Sequence, residues 1–180
     1  MAGSNMRKAL LLILLLVILV PCLATEHGPR HLQLFAHGSV VPPDNTFIVS
    51  AVPSGTTTGI DEFGLIRTVS NVLRDGSADD SQIVGSQVGV LVVGKKVTDL
   101  YVSFTYAFNE NATHQGTIAV HGFIDGTFIG DRVFAVVGGT GDFLHVFGED
   151  RSAYDPVEAP NPYSIVNAHN LTLHYAHDQK

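Results

Sequence analysis

Two charged residues seven positions apart, Asp125 and Arg132, have the types and surroundings that chemistry on a bound ligand needs. Arg132 begins an alternating apolar run, so its guanidinium could hydrogen-bond a ligand oxygen from the end of a strand. Asp125 could act as a general acid if it is partly buried. Each residue also has an ordinary interpretation. Arg132 could pair with Asp131 at the surface, and Asp125-Gly126 could be a simple turn.

A glycine-rich segment at residues 136–143, Val-Val-Gly-Gly-Thr-Gly-Asp-Phe, follows Arg132 closely. Glycine adopts positive φ without steric cost, so the segment predicts a tight turn or bulge between two strands. A phosphate-binding loop is disfavoured, because Lys-Ser/Thr and a helix would have to follow the glycines. Residues 142–147 look like a strand instead, which favours an all-β protein.

The histidines give no support for a metal centre. His169 and His174 are five apart, so they face opposite sides of a strand. No thiolate cluster, flavin fingerprint or Gly-x-Ser-x-Gly elbow is present, and we expect no cofactor or metal. His37 could line a pocket or serve a structural role.

Almost every part of the chain after the first two dozen residues reads as a β-strand. Residues 100–108 alternate most clearly, with Leu, Val, Phe, Tyr and Phe on one face. Breakers separate short strands, which predicts a single antiparallel barrel or sandwich. The predicted strands are residues 32–36, 46–52, 63–69, 84–93, 97–108, 116–121, 132–137, 143–147 and 163–175.

Residues 1–24 are predicted to be a secretory signal peptide, with the folded domain at residues 25–180. Arg7 and Lys8 precede an apolar run that is short for a membrane span, so a retained anchor is the weaker alternative. Cleavage would remove Cys22, the only cysteine, so the mature chain would form no disulfide.

Charge limits the partners that the chain can have. It carries 10 Lys and Arg against 17 Asp and Glu, a formal net charge of −7 at pH 7. Nucleic acid and anionic membrane surfaces are therefore not expected as partners. Two sequons, at Asn111 and Asn170, predict N-glycosylation if the protein is secreted.

The chain resembles the dirigent proteins of plants. Residues 136–143 match the family's motif Val-Val/Ile-Gly-Gly-Thr-Gly-x-Phe at every position. Residues 84–89 are similar to a degraded form of the family's Val-Gly-Arg-Ala-Gln-Gly segment. Residues 103–118 are similar to its aromatic strand, glycosylated turn and Gly-Thr-Ile strand. Together with residues 173–175, the resemblance covers nearly all of the predicted domain.

The resemblance implies an eight-stranded antiparallel β-barrel that forms a homo-oligomer, a dimer or trimer, in the apoplast. It also implies an auxiliary role in place of a conventional enzyme activity. Such proteins bind phenoxy radicals or quinone methides, generated by a separate oxidase, and direct their coupling stereoselectively, as in lignan formation.

The resemblance assigns Arg132 and Asp125 to the pocket, where they would orient and protonate the ligand. Substrate packing would come from Phe104, Tyr106 and Phe134, with His37 a further candidate for the pocket.

The sequence also departs from the family pattern. Gly38 stands where the family has a first-strand aspartate, and Leu91 and Val93 stand where it has a pair of tyrosines. These changes imply a more apolar pocket, and they leave two alternatives open. One is a cyclase or isomerase of the same architecture, like allene oxide cyclase, that needs no oxidase. The other is a non-catalytic secreted module with a role in defence or the cell wall.

Overall fold

The computed structural model describes residues 28–39, 45–51, 63–95, 99–125, 130–154 and 164–176. The predicted signal peptide, residues 1–24, lies outside these ranges. The described residues form nine strands: β1 (His31–Ser39), β2 (Phe47–Ala51), β3 (Ile66–Arg74), β4 (Ile83–Val93), β5 (Leu100–Phe108), β6 (Gly116–Ile124), β7 (Arg132–Gly141), β8 (Val146–Tyr154) and β9 (Ser164–Tyr175). Within this part of the chain, no helix is long and apolar enough to span a membrane.

All strand pairings are antiparallel, in the order β1-β9-β8-β7-β6-β5-β4-β3-β2, and β1 also pairs with β3. The second pairing closes the sheet into a circuit of eight strands. β2 pairs with β3 at residues 66–69, whereas β1 pairs with β3 at residues 72–74. β1 and β2 therefore share one edge of β3, and the predicted eight-stranded antiparallel barrel is confirmed.

Alternation along each strand fills the interior, as β5 shows. Val102, Phe104 and Tyr106 are buried, whereas Tyr101 is exposed. Tyr101 lies opposite Phe123 of β6 on the outer face, where both aromatic side chains are exposed. The outward side chains thus include large apolar groups, and the homo-oligomer stays a prediction.

The glycine-rich segment is mostly strand, where the sequence predicted a turn or bulge. β7 continues through Gly141, and its pairing with β6 shifts by one residue at Val137, which forms a bulge. The turn comes later, at residues 142–145, and Gly141 just before it and His145 at its end have φ of 63° and 64°. The prediction of a bulge was right, and the turn lies beyond the glycines.

The predicted strand at residues 143–147 was wrong at residues 143–145, which form the turn, and right at residues 146–147. Phe143 belongs to the turn, where it is fully buried at the end of the barrel. Its ring is stacked on that of Phe108, with ring centroids 4.9 Å apart. β8 begins at Val146 and runs on to Tyr154. Its inward positions include Asp150 and Ser152, so it lacks the apolar alternation by which strands are found in a sequence.

Candidate functional site

A cavity of about 370 Å³ lies inside the barrel. One part of its wall is apolar and is formed by Val69, Leu91 and Ile124 together with two phenylalanines. Phe104 of β5 and Phe134 of β7 meet edge to face, with ring centroids 6.3 Å apart. Such a wall favours a flat aromatic ligand, because aromatic rings pack in this geometry with additional electrostatic gain.

A buried cluster of three polar side chains, Tyr106, Asp150 and His169, lies at the cavity. The Tyr106 hydroxyl donates to Asp150 Oδ2 at 2.5 Å. His169 Nδ1 lies 2.9 Å from the Tyr106 hydroxyl oxygen and 2.9 Å from Asp150 Oδ2. Tyr106 and Asp150 are fully buried, and His169 is 2% exposed. His169 lines the cavity, so it is the member of the cluster that a ligand can contact.

Two amide side chains that line the cavity, Gln87 and Asn71, connect His169 to β3. Asn71 Nδ2 donates to Gln87 Oε1 at 2.6 Å, and Gln87 Nε2 lies 3.4 Å from His169 Nε2. An amide nitrogen only donates, so Nε2 is the accepting ring nitrogen. The proton of the neutral imidazole is then on Nδ1, which donates to Asp150.

Arg132 supplies a positive charge to the same cavity. Its Nη2 donates to Asn167 Oδ1 at 2.7 Å. Burial lowers the pKa of Arg132, while its electrostatic interactions with Asp150 and Tyr106 act in the opposite direction. Burial, followed by the charge and hydrogen bond of Asp150, raises the pKa of Tyr106 well above its usual value. The cavity is therefore lined by a guanidinium cation, and the tyrosine in the cluster behind His169 is neutral.

The structure brings three predicted site residues to the cavity wall, namely Arg132, Phe104 and Phe134. Tyr106 lies behind His169, with their rings 5.2 Å apart, and reaches a ligand through that histidine. The roles assigned to these four residues stay predictions.

Asp125 and His37 lie elsewhere. Asp125 follows Ile124 at the end of β6, and its side chain is exposed at the rim. His37 alternates with the buried Ala36, and its ring contacts Asp79 Oδ1 at 3.2 Å and the Gly76 carbonyl at 3.3 Å. A catalytic role for Asp125 and a ligand contact for His37 also stay predictions.

The departures from the family pattern fall in or beside the cavity. Leu91 lines the cavity, and Val93 is buried one pleat further along β4. At Gly38, a Cβ would lie 2.5 Å from Asn71 Oδ1, so the asparagine oxygen occupies the space in front of the glycine.

Both sequons lie at the surface. Asn111 is exposed in the turn before β6, and Asn170 is exposed on β9. Glycosylation at either asparagine stays a prediction. Among the described residues, no three His, Cys, Asp or Glu side chains converge in a way that could hold a metal ion.

Sequence reasoning missed Asp150, Gln87, Asn71 and Asn167, and it considered His169 only as a metal ligand. The alternation of β9 carried one usable signal, because His169 shares its inward face with Leu171 and Leu173. Asp150 gave no usable signal, because it lies beyond the end of the strand predicted at residues 143–147.

The fold and cavity define a closed antiparallel barrel that can enclose one small aromatic molecule beside buried charged groups. A family model described as "Dirigent-like protein" matches residues 29–169. The chain therefore belongs to the dirigent family, which confirms the resemblance found in its sequence.

Two curated relatives share the name Pterocarpan synthase 1. The protein from Glycine max is 27% identical over 151 residues, which cover 83% of this chain and 81% of the relative. The protein from Glycyrrhiza echinata is 25% identical over 153 residues, which cover 83% and 80%.

Solved structures share the fold. The pterocarpan synthase dirigent protein GePTS1 matches with a TM-score of 0.67 and 23% identity, over 81% of this chain and 84% of that one. PsPTS1 matches with the same TM-score and 24% identity, over 81% and 94%. Pyocyanin demethylase matches with a TM-score of 0.54 and 18% identity, over 80% and 99%.

Proposed function

We propose that this protein binds a phenolic molecule inside the barrel and directs its ring closure through a quinone methide, without oxidation. One observation carries the proposal. Arg132 and the cluster of Tyr106, Asp150 and His169 adjoin a single cavity that is walled by Phe104 and Phe134.

The reaction conserves electrons. A phenol with a benzylic hydroxyl para to the phenol oxygen loses the phenol proton and that hydroxyl, as one water molecule, and becomes a quinone methide. An internal hydroxyl then forms a C–O bond to the methide carbon, and its proton returns to the carbonyl oxygen. The net change is loss of water, so neither an oxidant nor a cofactor takes part.

Arg132 is suited to stabilise the oxygen on which charge develops. A fixed guanidinium in a desolvated cavity favours the phenolate and polarises the quinone methide carbonyl. Asn167 orients the guanidinium through its bond to Nη2.

His169 is suited to move the proton. Its contact with Gln87 is long, at 3.4 Å, so Nε2 is the ring nitrogen from which a ligand hydroxyl can displace the amide. Asp150 then stabilises the imidazolium that forms, and Tyr106 holds the carboxylate in place.

The relatives support ring closure over radical coupling, because both are named for synthesis of pterocarpans, a class of fused oxygen heterocycles. The coupling of phenoxy radicals from a separate oxidase, which the sequence favoured, is the alternative within the same family.

The test substrate is a benzylic alcohol with a free hydroxyl para to the benzylic carbon. It is the alcohol that hydrolysis of the benzylic C–O bond of the corresponding pterocarpan would give. With no oxidant present, we expect the protein to convert this alcohol to the pterocarpan in one enantiomeric form, as measured by chiral chromatography. A parallel reaction contains coniferyl alcohol and a one-electron oxidant.

The two reactions separate the three candidate roles. Optically active coupling products without ring closure of the alcohol would contradict the proposal and restore the coupling role. An unchanged alcohol together with racemic coupling products would leave the non-catalytic module.

A further inference from the structure

Three inward side chains of neighbouring strands form a row across the cavity wall. Arg132 of β7 lies opposite Ser152 of β8, and Ser152 lies opposite His169 of β9. All three line the cavity. Side chains that pair directly across antiparallel strands have Cβ atoms about 5 Å apart. Roles have been proposed above for the arginine and the histidine, whereas the serine between them has none.

The Ser152 hydroxyl is open to the cavity. The residue is 2% exposed, and it forms part of the cavity wall. Within the part of the chain that the structure describes, this hydroxyl makes no hydrogen bond, and it is not among the unpartnered atoms that are inaccessible to solvent. A buried hydroxyl without a partner is unfavourable, so a ligand that bonds to it gains affinity.

Arg132 has one nitrogen left for a ligand in the same region. Its Nη2 donates to Asn167 Oδ1 at 2.7 Å, and its Nε is inaccessible to solvent, so Nη1 is the nitrogen that remains. Because Asn167 lies on β9, the guanidinium reaches across the inner face of β8, where Ser152 and Tyr154 line the cavity. The guanidinium and the serine hydroxyl therefore face the same part of the cavity.

We propose that Arg132 Nη1 and the Ser152 hydroxyl donate hydrogen bonds to one and the same oxygen of the ligand, which makes Ser152 a second binding residue for that oxygen. The phenolic nature of the oxygen rests on the proposed function, whereas the serine contact concerns binding alone. Donors that are already in place favour an oxygen on which negative charge develops. The small serine also leaves room for Arg132 to reach Asn167, so a purely steric role is the alternative.

The test measures binding by equilibrium dialysis with two probes, para-phenylphenol and para-methylbiphenyl. The two molecules have nearly the same shape, and only the phenol has an oxygen. We expect Ser152→Ala to weaken the binding of para-phenylphenol about fivefold, as for loss of one buried hydrogen bond. We expect the affinity for para-methylbiphenyl to stay within about twofold, because alanine adds no bulk to the cavity wall.

Two further variants make the result specific. Ser152→Cys fills a similar space with a weak donor, so it should weaken the binding of para-phenylphenol by nearly as much as alanine does. It also carries the test if Ser152→Ala fails to fold, which thermal unfolding will show. Ser70→Ala is the matched control, because this serine is exposed on the outside of β3 and its replacement should leave both affinities unchanged.

Equal weakening of both probes, no weakening of either, or failure of the unmodified protein to bind para-phenylphenol would each overturn this assignment. Full affinity for para-phenylphenol in Ser152→Cys would overturn it too, because the size of the side chain would then decide binding. Binding is measured without turnover. A failed ring-closure assay therefore leaves a selective dialysis result standing, and a failed dialysis result leaves ring closure untouched.

Discussion

Asp150 is the residue on which the charge balance of the interior depends. A fully buried carboxylate is unfavourable unless hydrogen bonds and an opposite charge offset its desolvation. Tyr106 and His169 both donate to Oδ2, and Arg132 supplies the opposite charge within the same interior. Removal of this charge should therefore alter both the histidine and the arginine.

Two acids are candidates for the group that supports proton transfer, namely Asp150 inside the barrel and Asp125 at its rim. We expect Asp150→Asn to lower kcat/KM for oxidant-free ring closure about 100-fold, the usual scale of a lost acid–base group. Asp125→Asn should change it by no more than about twofold, because the side chain is exposed.

Steady-state kinetics of both variants, with circular dichroism as the check on folding, decide between the two acids. A larger loss in Asp125→Asn than in Asp150→Asn would return the catalytic role to the rim.

At the residue scale, the sequence predicted the side chains that alternation places inward and missed those that only barrel closure brings together. Phe104, Phe134 and Arg132 were found from alternation and the family motif. The contacts of His169 with Gln87 and Tyr106 join β9 to β4 and β5, which are distant from it in sequence. No local pattern encodes such contacts, because they depend on the register of the closed sheet.

At the scale of elements, the end of β7 shows why the family motif contains several glycines. Gly141 has φ of 63°, and an added Cβ would lie 2.4 Å from the Gln115 carbonyl oxygen. At Gly138, by contrast, an added Cβ would meet nothing within 4 Å. Glycine is therefore required by the backbone at Gly141 and not at Gly138.

We expect Gly141→Ala to lower the free energy of unfolding by about 2 kcal/mol, because an L residue is strained at positive φ and the carbonyl is fixed backbone. Gly138→Ala is the matched control and should change it by less than about 1 kcal/mol, with either sign. Urea unfolding of the two variants measures both values. Equal destabilisation would show that the strain is not located at Gly141.

Most strands could be predicted from period-two alternation, and β8 could not. Its inward face carries Asp150 and Ser152, so apolar and polar residues alternate weakly there. Because the buried Phe143 just before it is apolar, the strand was predicted to begin within the turn. Strands depart from the core pattern where inward residues are kept for function, which is the role proposed for Asp150.

At the scale of the whole molecule, closure of the sheet by the pairing of β1 with β3 creates the site. It joins β3 to β1 and so sets Asn71 on β3 opposite Arg132 on β7, with Phe104 on β5 and Phe134 on β7. An eight-stranded barrel leaves room for one small ligand when part of its interior is not filled by side chains. The cavity is therefore a property of the fold, and its chemistry is a property of a few inward residues.

The most direct test of the proposed function is a crystal structure of the protein with a pterocarpan, the proposed class of product, bound to it. We expect the ligand inside the barrel, in contact with Phe104 and Phe134, with one ligand oxygen within hydrogen-bond distance of Arg132. A ligand bound at the rim beside Asp125, or on the outer face with the interior empty, would contradict it.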